Sequence, residues 1–476
     1  MYLVSKRYRV NDFGKTFLRV PRLKGLKVKL ALARQNDIVA IKTRSGRVVG
    51  FHAHNLQVAD LGPVVWDAMT PASGVTDTQV ELEEARAELL EWNSESDPAV
   101  RDSVLPKGFR SLAINVAQLC NLKCTYCAAG GDGTFGDPMK EVDLVILYDQ
   151  IRMLLHDVPN GGEFKFTFLG GEPLLAPDAM RVIHRFAKLQ VASRNIALKF
   201  DIVTNGTLVT PANAELLASM KCNVTVSLDG PPEYNDISRP TKSGKGSTKK
   251  ALEGLANLVA VKDRLGSLSV GSVFGEHFTD VVATYKFLQP MALDSIRFDF
   301  AVGEGDAEAS EAYVQGLSEV ADLAFEMGGE PELRRLSMFD LYFRILDGKQ
   351  RIRNHCGAGK THLHVDTRGS LTTCQWFVGV KDEQVGFGTT IEHEKLTEYA
   401  DPLVEQHSCQ TCWVRNLCGG GCMYVNKTKT GSKHTKDTGF CTRTRSLIAK
   451  GIEKYAEARY TNNVNEPDLG EHCETH

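Results

Sequence analysis

The sequence lacks any uninterrupted apolar run of the ~18 residues that a membrane-spanning helix needs. Residues 1–10, MYLVSKRYRV, also lack the continuous apolar segment of a secretory signal. Internal repeats and low-complexity tracts are missing as well. These absences predict a globular protein of the cytoplasm without a membrane partner. The 476 residues, 42% of them apolar, are enough for two or three domains with hydrophobic cores.

The charge balance gives little sign of a nucleic-acid partner. The formal net charge is −3, and SGKGS at 243–247 lacks the G-x4-G-K-[ST] spacing of a phosphate-binding loop. Locally, residues 1–60 carry thirteen Lys/Arg against three Asp, whereas residues 71–100 carry eight Asp/Glu against Arg86 alone. These blocks are consistent with nucleic-acid binding, with an acidic peptide partner or with two surfaces that pack on each other, and solvated faces are the simplest interpretation.

The pattern of residues divides the chain into five stretches. Residues 1–75 predict a small β-rich domain, and residues 76–107 predict an acidic helical connector. In residues 108–330, strand-like runs alternate with helical patterns, which is typical of an α/β fold with a parallel sheet or barrel. Functional side chains in such folds follow the carboxyl ends of the strands. Residues 331–460 are cysteine-rich with few long periodic segments and predict a metal-held module, and residues 461–476 a flexible tail.

Cysteine is abundant, with twelve residues. A reducing compartment disfavours disulfides and leaves metal binding or catalysis as the expected uses. The first group is Cys120, Cys124 and Cys127, spaced C-x3-C-x2-C. Three thiolates on one loop can hold three irons of a four-iron cluster and leave the fourth iron open to a small molecule with an amine and a carboxylate. A three-thiolate zinc site and reduced core cysteines are the alternatives.

The loop resembles the C-x3-C-x-aromatic-C loop of radical S-adenosylmethionine (SAM) enzymes, with Tyr126 as the aromatic residue. Three further segments are similar to motifs of that family: FLGGEP at 168–173, TNGTL at 204–208 and SLDGPPEYNDISRP at 227–240. The resemblance implies a partial (β/α)6 TIM-like barrel with a [4Fe-4S] cluster held by the three cysteines. It implies SAM contacts by Tyr126, Gly170, Gly171, Glu172, Asn205, Ser227 and Arg239.

Roles within this set follow from the same resemblance. Glu172 is expected to accept hydrogen bonds from the methionyl ammonium, and the glycines before it to let the ligand approach the backbone. Ser227 and Arg239 are expected to bind the carboxylate or ribose of the cofactor. The alternative for Arg239 is a surface salt bridge, and Asp229 is open to interpretation as a structural turn residue.

The second cysteine group has the order Cys356, Gly369-x4-Cys374, then C-x2-C-x5-C-x3-C from Cys409 to Cys422, and finally Cys441. A run of four thiols also fits a tetrahedral zinc site. All seven together resemble SPASM, a C-terminal module that carries two auxiliary iron–sulfur clusters. The resemblance assigns one auxiliary [4Fe-4S] cluster to Cys409, Cys412, Cys418 and Cys441, and the other to Cys356, Cys374 and Cys422.

The second of these clusters is one protein ligand short. His362, Cys473 and a thiol of the substrate are the candidates for the vacant position. For His362 a loop histidine is the simpler interpretation, and for Cys473 a free tail thiol. Cys222, which precedes a strand of the barrel, is predicted to be a buried core residue.

The resemblance implies an enzyme that cleaves SAM to a 5′-deoxyadenosyl radical and abstracts hydrogen from a ribosomally made precursor peptide. The extended loop CAAGGDGTFGDPM at 127–139 favours a maturase that installs a thioether or carbon–carbon cross-link. Sulfatase maturation or epimerisation is the alternative, but Gln375 stands where sulfatase-maturing members have an Asp base. A precursor peptide with a leader segment bound by residues 1–75, and a flavodoxin or ferredoxin as electron donor, are the expected partners. A zinc-stabilised, non-catalytic interaction protein is the alternative from another class.

Overall fold

The computed structural model describes residues 31–43, 45–70, 79–127, 141–276, 278, 280–301 and 307–460. Three features of the sequence analysis lie outside these residues: the first thirty residues, the extension of the cysteine loop at 128–140, and the tail with Cys473. In the parts of the chain that are described, no helix combines the length and hydrophobicity needed to cross a membrane.

The N-terminal part is an antiparallel sheet with two helices packed on it. Its strands pair in sequence order: β1 (Ala31–Gln35), β2 (Ile38–Lys42), β3 (Val48–His52) and β4 (Gln57–Leu61). Helices α1 (Pro63–Met69) and α2 (Gln79–Ser94) follow. Ala85 and Leu89 of α2 are buried in one apolar cluster with Ile38 and Val65. The acidic helix therefore buries its apolar stripe against this domain.

Six parallel strands in sequential order form the barrel sheet. They are β6 (Ser111–Ala117), β7 (Glu163–Gly170), β8 (Ala197–Thr204), β9 (Asn223–Ser227), β10 (Ser267–Phe274) and β11 (Ser295–Phe300). The intervening helices are α3 (Leu144–His156), α4 (Pro177–Gln190), α5 (Pro211–Ser219), α6 (Pro232–Ser238), α7 (Thr248–Val259) and α8 (Val281–Leu288). The predicted α/β fold with a partial barrel is confirmed.

The barrel strands bury one face against the helices. Phe164, Phe166 and Phe168 alternate along β7 and are each completely buried. Along β10, buried and partly buried residues alternate at every position. This alternation of period two leaves the other face of the sheet free to line the interior of the barrel.

The C-terminal module continues the barrel sheet. Its strand β13 (His362–Val365) pairs in parallel with β6, and β14 (Ser370–Thr372), β15 (Gln384–Phe387) and β16 (Thr390–Ile391) extend the sheet further. The short strands β5 (Arg101–Asp102) and β12 (Gln350–Arg351) pair with each other. The module is therefore joined to the barrel by backbone hydrogen bonds.

The C-terminal half of the chain contains both long and short helices. The long ones are α9 (Ala307–Arg334), kinked at Gly328 and Gly329, α10 (Ser337–Gly348) and α15 (Thr438–Tyr460). The short ones are α11 (His393–Leu396), α12 (Leu403–Gln406), α13 (Arg415–Cys418) and α14 (Met423–Thr430). Helix α15 has no clear apolar pattern in the sequence, because its buried face contains Lys450 and Lys454, which pair with Asp322 of α9.

Candidate functional site

A cavity of about 1360 Å³ lies at the carboxyl ends of the barrel strands and extends to α15. The three-cysteine loop lines it on the barrel side, and Cys418 and Cys422 line it on the side of the C-terminal module. This is the position where α/β barrels place their active sites. Both groups of cysteines thus border the same space.

The three-cysteine loop follows β6 and is fastened to the segment after α6. Backbone N–H groups of Lys123 and Thr125 donate to the carbonyl oxygens of Pro240 (2.8 Å) and Ser238 (2.9 Å). Burial, with the neighbouring thiols as further causes, raises the pKa of Cys120 to about 11 and that of Cys124 to about 12. Their mutual influence, and that of Cys127 on both, places the three thiols in one electrostatic neighbourhood.

The glycines of the GGEP segment make room for the cysteine loop. Gly170 has a φ of +130°, and a Cβ there would lie 2.0 Å from the carbonyl oxygen of Ala117. A Cβ on Gly171 would lie 2.2 Å from the carbonyl oxygen of Leu119. Both glycines also line the cavity. The close approach that they permit is therefore to the backbone that enters the cysteine loop, in addition to any approach by a ligand.

Glu172 is almost completely buried, and its carboxylate accepts hydrogen bonds from other groups of the protein. Its Oε1 accepts hydrogen bonds from Thr204 Oγ1 (2.7 Å) and from the N–H of Leu174 (3.0 Å), and Oε2 accepts one from the N–H of Asn205 (2.7 Å). Burial raises its pKa, and these donors oppose the rise. The carboxylate joins the loops after β7 and β8, and its contact with a methionyl ammonium stays a prediction.

Asn205 links the loop after β8 to the cysteine loop. Its side-chain amide donates to Asn121 Oδ1 at 2.8 Å and lies 3.8 Å from the sulfur of Cys120. Its carbonyl oxygen accepts from the hydroxyl of Thr207 at 2.6 Å. Ser227, at the end of β9, lines the cavity, as do Asn205 and Tyr126.

Asp229 is a fully buried carboxylate that connects three segments of the site. Its Oδ2 accepts hydrogen bonds from the hydroxyls of Tyr126 (2.8 Å) and Ser238 (2.6 Å), and Oδ1 accepts one from the N–H of Val273 (3.0 Å). Arg239 Nε lies 3.0 Å from Oδ2, an ion-pair contact whose angle does not suit a hydrogen bond. The sequence analysis left Asp229 open as a turn residue; its position in the SLDG segment was the available signal.

Arg239 is buried with this carboxylate and is not a surface residue. Its guanidinium carbon lies 5.3 Å from the centre of the Tyr126 ring, and Nη1 lies 4.0 Å from the sulfur of Cys124. Burial alone would lower its pKa, but Asp229 and Tyr126 hold the pKa above its usual value. The guanidinium therefore stays charged at the wall of the cavity. The surface salt bridge, which was the alternative for Arg239, is excluded by this burial.

The seven C-terminal cysteines fall into two neighbourhoods. Burial raises the pKa of Cys374 to about 12, with Cys422 and Cys356 among the further causes. Burial likewise raises the pKa of Cys418 to about 12, and Cys412, Cys441 and Cys409 contribute further to the rise. The two sets coincide with those that the sequence resemblance assigns to the two auxiliary clusters. Among the described residues, no three His, Cys, Asp or Glu side chains converge as ligands of a single metal ion would.

His362 and Cys222 have surroundings of their own. Nδ1 of His362 lies 2.9 Å from the hydroxyl of Ser111 on β6, so the ring is directed at a barrel strand. Burial lowers its pKa to about 4. Cys222 is completely buried in the main apolar cluster, as predicted. Gln375 is exposed and lines the cavity.

Comparison with known proteins agrees with the motifs. Residues 114–288 match the model of the radical SAM superfamily. The serine-type anaerobic sulfatase-maturating enzyme of Klebsiella aerogenes is 24% identical over 341 residues, which are 68% of this chain and 82% of that protein. The radical SAM cyclopropyl synthase TigE of Paramaledivibacter caminithermalis is 23% identical over 72% of this chain and 74% of its own.

Among solved structures, native anSMEcpe with bound AdoMet superposes with a TM-score of 0.60. It is 21% identical, and the superposition covers 75% of this chain and all of that one. At this identity the likeness establishes the fold. The superfamily match, the sulfatase-maturating relative and the cysteine loop at the mouth of the barrel show that the chain contains a radical SAM domain over residues 114–288 and is an enzyme that uses S-adenosylmethionine and a [4Fe-4S] cluster.

Proposed function

We propose that this protein is a peptide maturase that abstracts hydrogen from a ribosomally made precursor and installs a thioether or carbon–carbon cross-link. The observation that carries the proposal is the shared cavity, which the barrel thiols border on one side and Cys418 and Cys422 on the other. A peptide segment in this space lies beside both groups of thiols. Peptide-modifying relatives, named above, support the class of substrate.

At the barrel, Cys120, Cys124 and Cys127 are the proposed cluster ligands. The bound cofactor and cluster supply a 5′-deoxyadenosyl radical that can abstract hydrogen from an unactivated carbon. Arg239, held by Asp229, and Ser227 are proposed to bind the carboxylate or ribose of the cofactor. Tyr126 and Asn205 line the same wall and fasten the cysteine loop. The enclosing walls of the barrel exclude water from the reacting groups.

In the C-terminal module, Cys409, Cys412, Cys418 and Cys441 are proposed to hold a fully ligated cluster. Cys356, Cys374 and Cys422 are proposed to hold the second, with one position open. The Nδ1 of His362 contacts Ser111, so only its Nε2 could occupy that position. A substrate thiol is the stronger candidate, since Cys422 borders the cavity. Ligation by thiolates suits iron–sulfur clusters.

Sulfatase maturation is the second candidate, which the Klebsiella relative favours. It requires a base near the oxidised Ser or Cys. Gln375 lines the cavity directly after Cys374, and its amide cannot take a proton. This residue favours cross-linking over sulfatase maturation.

Two further partners belong to the proposal. The basic first sixty residues fit an acidic leader peptide, and their described part is a four-stranded sheet whose strands can accept another strand at an edge. A flavodoxin or ferredoxin of the cytoplasm is the proposed electron donor. Reduction in that compartment also keeps the thiols available for clusters.

Anaerobic purification followed by iron and zinc analysis tests the class of the protein. We expect a brown protein with about ten irons or more per chain, which forms 5′-deoxyadenosine when it receives SAM and dithionite. A colourless zinc protein would overturn the proposal. Incubation with a peptide translated from a short reading frame, should one lie beside the gene, followed by mass spectrometry, tests the reaction: each cross-link removes one pair of hydrogens, whereas epimerisation leaves the mass unchanged.

A further inference from the structure

Arg443 is a cation of the cavity wall that forms no direct ion pair with a carboxylate among the described residues, although Asp437, the residue before α15, acts on it at longer range. It lies on α15, two residues after Cys441, and lines the shared cavity. Its Nη1 donates to the hydroxyl of Ser310 at 3.1 Å, a neutral acceptor. By contrast, Arg239 and Arg297, which line the same cavity, lie 3.0 Å from Asp229 and 2.6 Å from Asp299.

Aromatic rings hold the guanidinium of Arg443 in place. Its central carbon lies 4.4 Å from the ring centre of Phe300, at the end of β11, and 5.8 Å from that of Phe440. Stacking on rings restricts a long side chain and leaves the outer edge of the fork available for hydrogen bonds. The side chain is partly buried, so the guanidinium has lost part of its hydration, which the carboxylate of a ligand would replace.

The position of the Arg443 guanidinium restricts which ligand it can bind. Arg443 projects from α15 and stacks on Phe300 at the end of β11, whereas Ser227 ends β9 and Arg239 follows α6. With the SAM carboxylate assigned to Ser227 and Arg239, a carboxylate at Arg443 belongs to the other occupant of the cavity.

We propose that Arg443 determines substrate specificity by binding a carboxylate of the peptide through its guanidinium fork. The proposal rests on the proposed function, since it takes a peptide as the occupant of the cavity. A site built to hydrogen-bond a charged group rejects the analogue that lacks it, because the buried polar group is then left without a partner. The carboxylate is either an Asp or Glu side chain or the C-terminus of the peptide.

The test measures equilibrium binding by fluorescence anisotropy on the cluster-loaded protein with SAM and without reductant. The probes are two pools of labelled peptides that have a few fixed positions and are random elsewhere. The fixed positions are Glu in one pool and Gln in the other, and both pools are amidated at the C-terminus. A third pool has the Gln composition and a free C-terminus. We expect the wild-type protein to bind one carboxylate-bearing pool about tenfold or more tightly than the amidated Gln pool. The pool that is bound more tightly shows whether the carboxylate is a side chain or the C-terminus.

Three variants accompany the measurement. Arg443→Gln should abolish the preference, and Arg443→Lys, which keeps the charge and loses the fork, should retain a smaller one. Arg344→Gln, a change in an exposed pair with Asp340 on α10, should retain all of it. Iron content and melting temperature verify that each variant is folded, which separates ligand binding from a role of Arg443 in docking α15 on the barrel.

Wild type that binds the three pools equally, or binds none of them, overturns the proposal, as does a preference that survives in folded Arg443→Gln. The outcome is independent of turnover. A protein that prefers carboxylate peptides and modifies none of them contradicts the proposed function alone. A protein that cross-links a peptide without this preference contradicts the role of Arg443 alone.

Discussion

The hydroxyl of Tyr126 donates a 2.8 Å hydrogen bond to Asp229, a residue that follows it by 103 positions in the chain. The same carboxylate oxygen contacts Ser238 and Arg239. The cysteine loop, the loop after β9 and the residue proposed to bind the cofactor therefore meet at one buried anion. A change at this point affects both the loop that carries the thiols and the charge that faces the cavity.

Replacement of Asp229 by Asn should weaken both folding and cofactor binding. The change leaves the buried charge of Arg239 without a counter-ion, and breaking a buried pair in this way costs about 3–5 kcal/mol. Urea unfolding of the anaerobic holoprotein measures the free energy, and equilibrium dialysis measures SAM affinity. The exposed Asp263→Asn is the matched control and should change neither. Unchanged stability and SAM affinity in Asp229→Asn would show that Arg239 is held by other groups.

The double variant Cys124→Ala with Cys127→Ala should abolish formation of 5′-deoxyadenosine. It removes two of the three proposed ligands of the barrel cluster, and the iron content should fall by about four per chain. Chromatography of the nucleoside products and an iron assay check the two effects. A double variant that still makes 5′-deoxyadenosine refutes the ligand assignment of this loop.

Cys422→Ala and Cys441→Ala should remove different clusters. Cys422 contributes to the raised pKa of Cys374, and Cys441 contributes to that of Cys418. Electron paramagnetic resonance of the reduced proteins should therefore lose a different signal in each variant. Cys222→Ala is the control, because this thiol is buried in the apolar core and should leave all signals in place. The same signal lost from both variants would mean that the seven thiols form one set.

His364→Leu should stabilise the protein, most strongly in mild acid. His364 is completely buried, and both of its ring nitrogens lack hydrogen-bond partners. Removal of an unsatisfied buried group of this kind gains about 1–3 kcal/mol. Burial lowers the pKa of His364 to about 3, with His362 as a further cause.

The sign of the pH dependence follows from this pKa. An unfolded histidine takes up a proton below about pH 6.5, whereas folded His364 does so only near pH 3. The unfolded state therefore binds more protons between these values, and the free energy of unfolding falls as the pH falls through this window. His364→Leu should reduce the slope, and the exposed His156→Gln should not. Urea unfolding at pH 7.5 and at pH 5.5 measures the difference, and equal slopes in wild type and His364→Leu would contradict the prediction.

Much of the site could be predicted because its chemistry requires particular residue types at short spacings. The loop from Cys120 to Cys127 and the segment ending at Glu172 each follow a strand, and both are local patterns in the sequence. The alternation of strands and helices from 108 to 330 similarly predicts the barrel. The grouping of thiols in the C-terminal module followed from resemblance and stays a prediction; the thiols that contribute to the raised pKa of Cys374 and of Cys418 belong to the same two sets.

What could not be predicted depends on contacts between distant positions. The carboxylate of Glu172 accepts hydrogen bonds from Thr204 and Asn205, more than thirty residues away, and the sequence of the GGEP segment does not predict these donors. The helix α15 was missed because buried lysines interrupt its apolar face. Nothing in the sequence indicated Arg443, since its significance comes from the ring of Phe300 on β11 and from the absence of a direct ion pair among the described residues.

The parallel pairing of β13 with β6 has a consequence for the positions of the clusters. Cys120 comes three residues after β6, and Cys374 comes two residues after β14, the neighbour of β13. Because β14 runs antiparallel to β13, the chain leaves β14 toward the amino end of β6, whereas Cys120 lies beyond the carboxyl end of β6. Clusters held at these two cysteines would therefore sit toward opposite ends of one continuous sheet, and the hydrogen-bonded strands between their anchors would keep them apart.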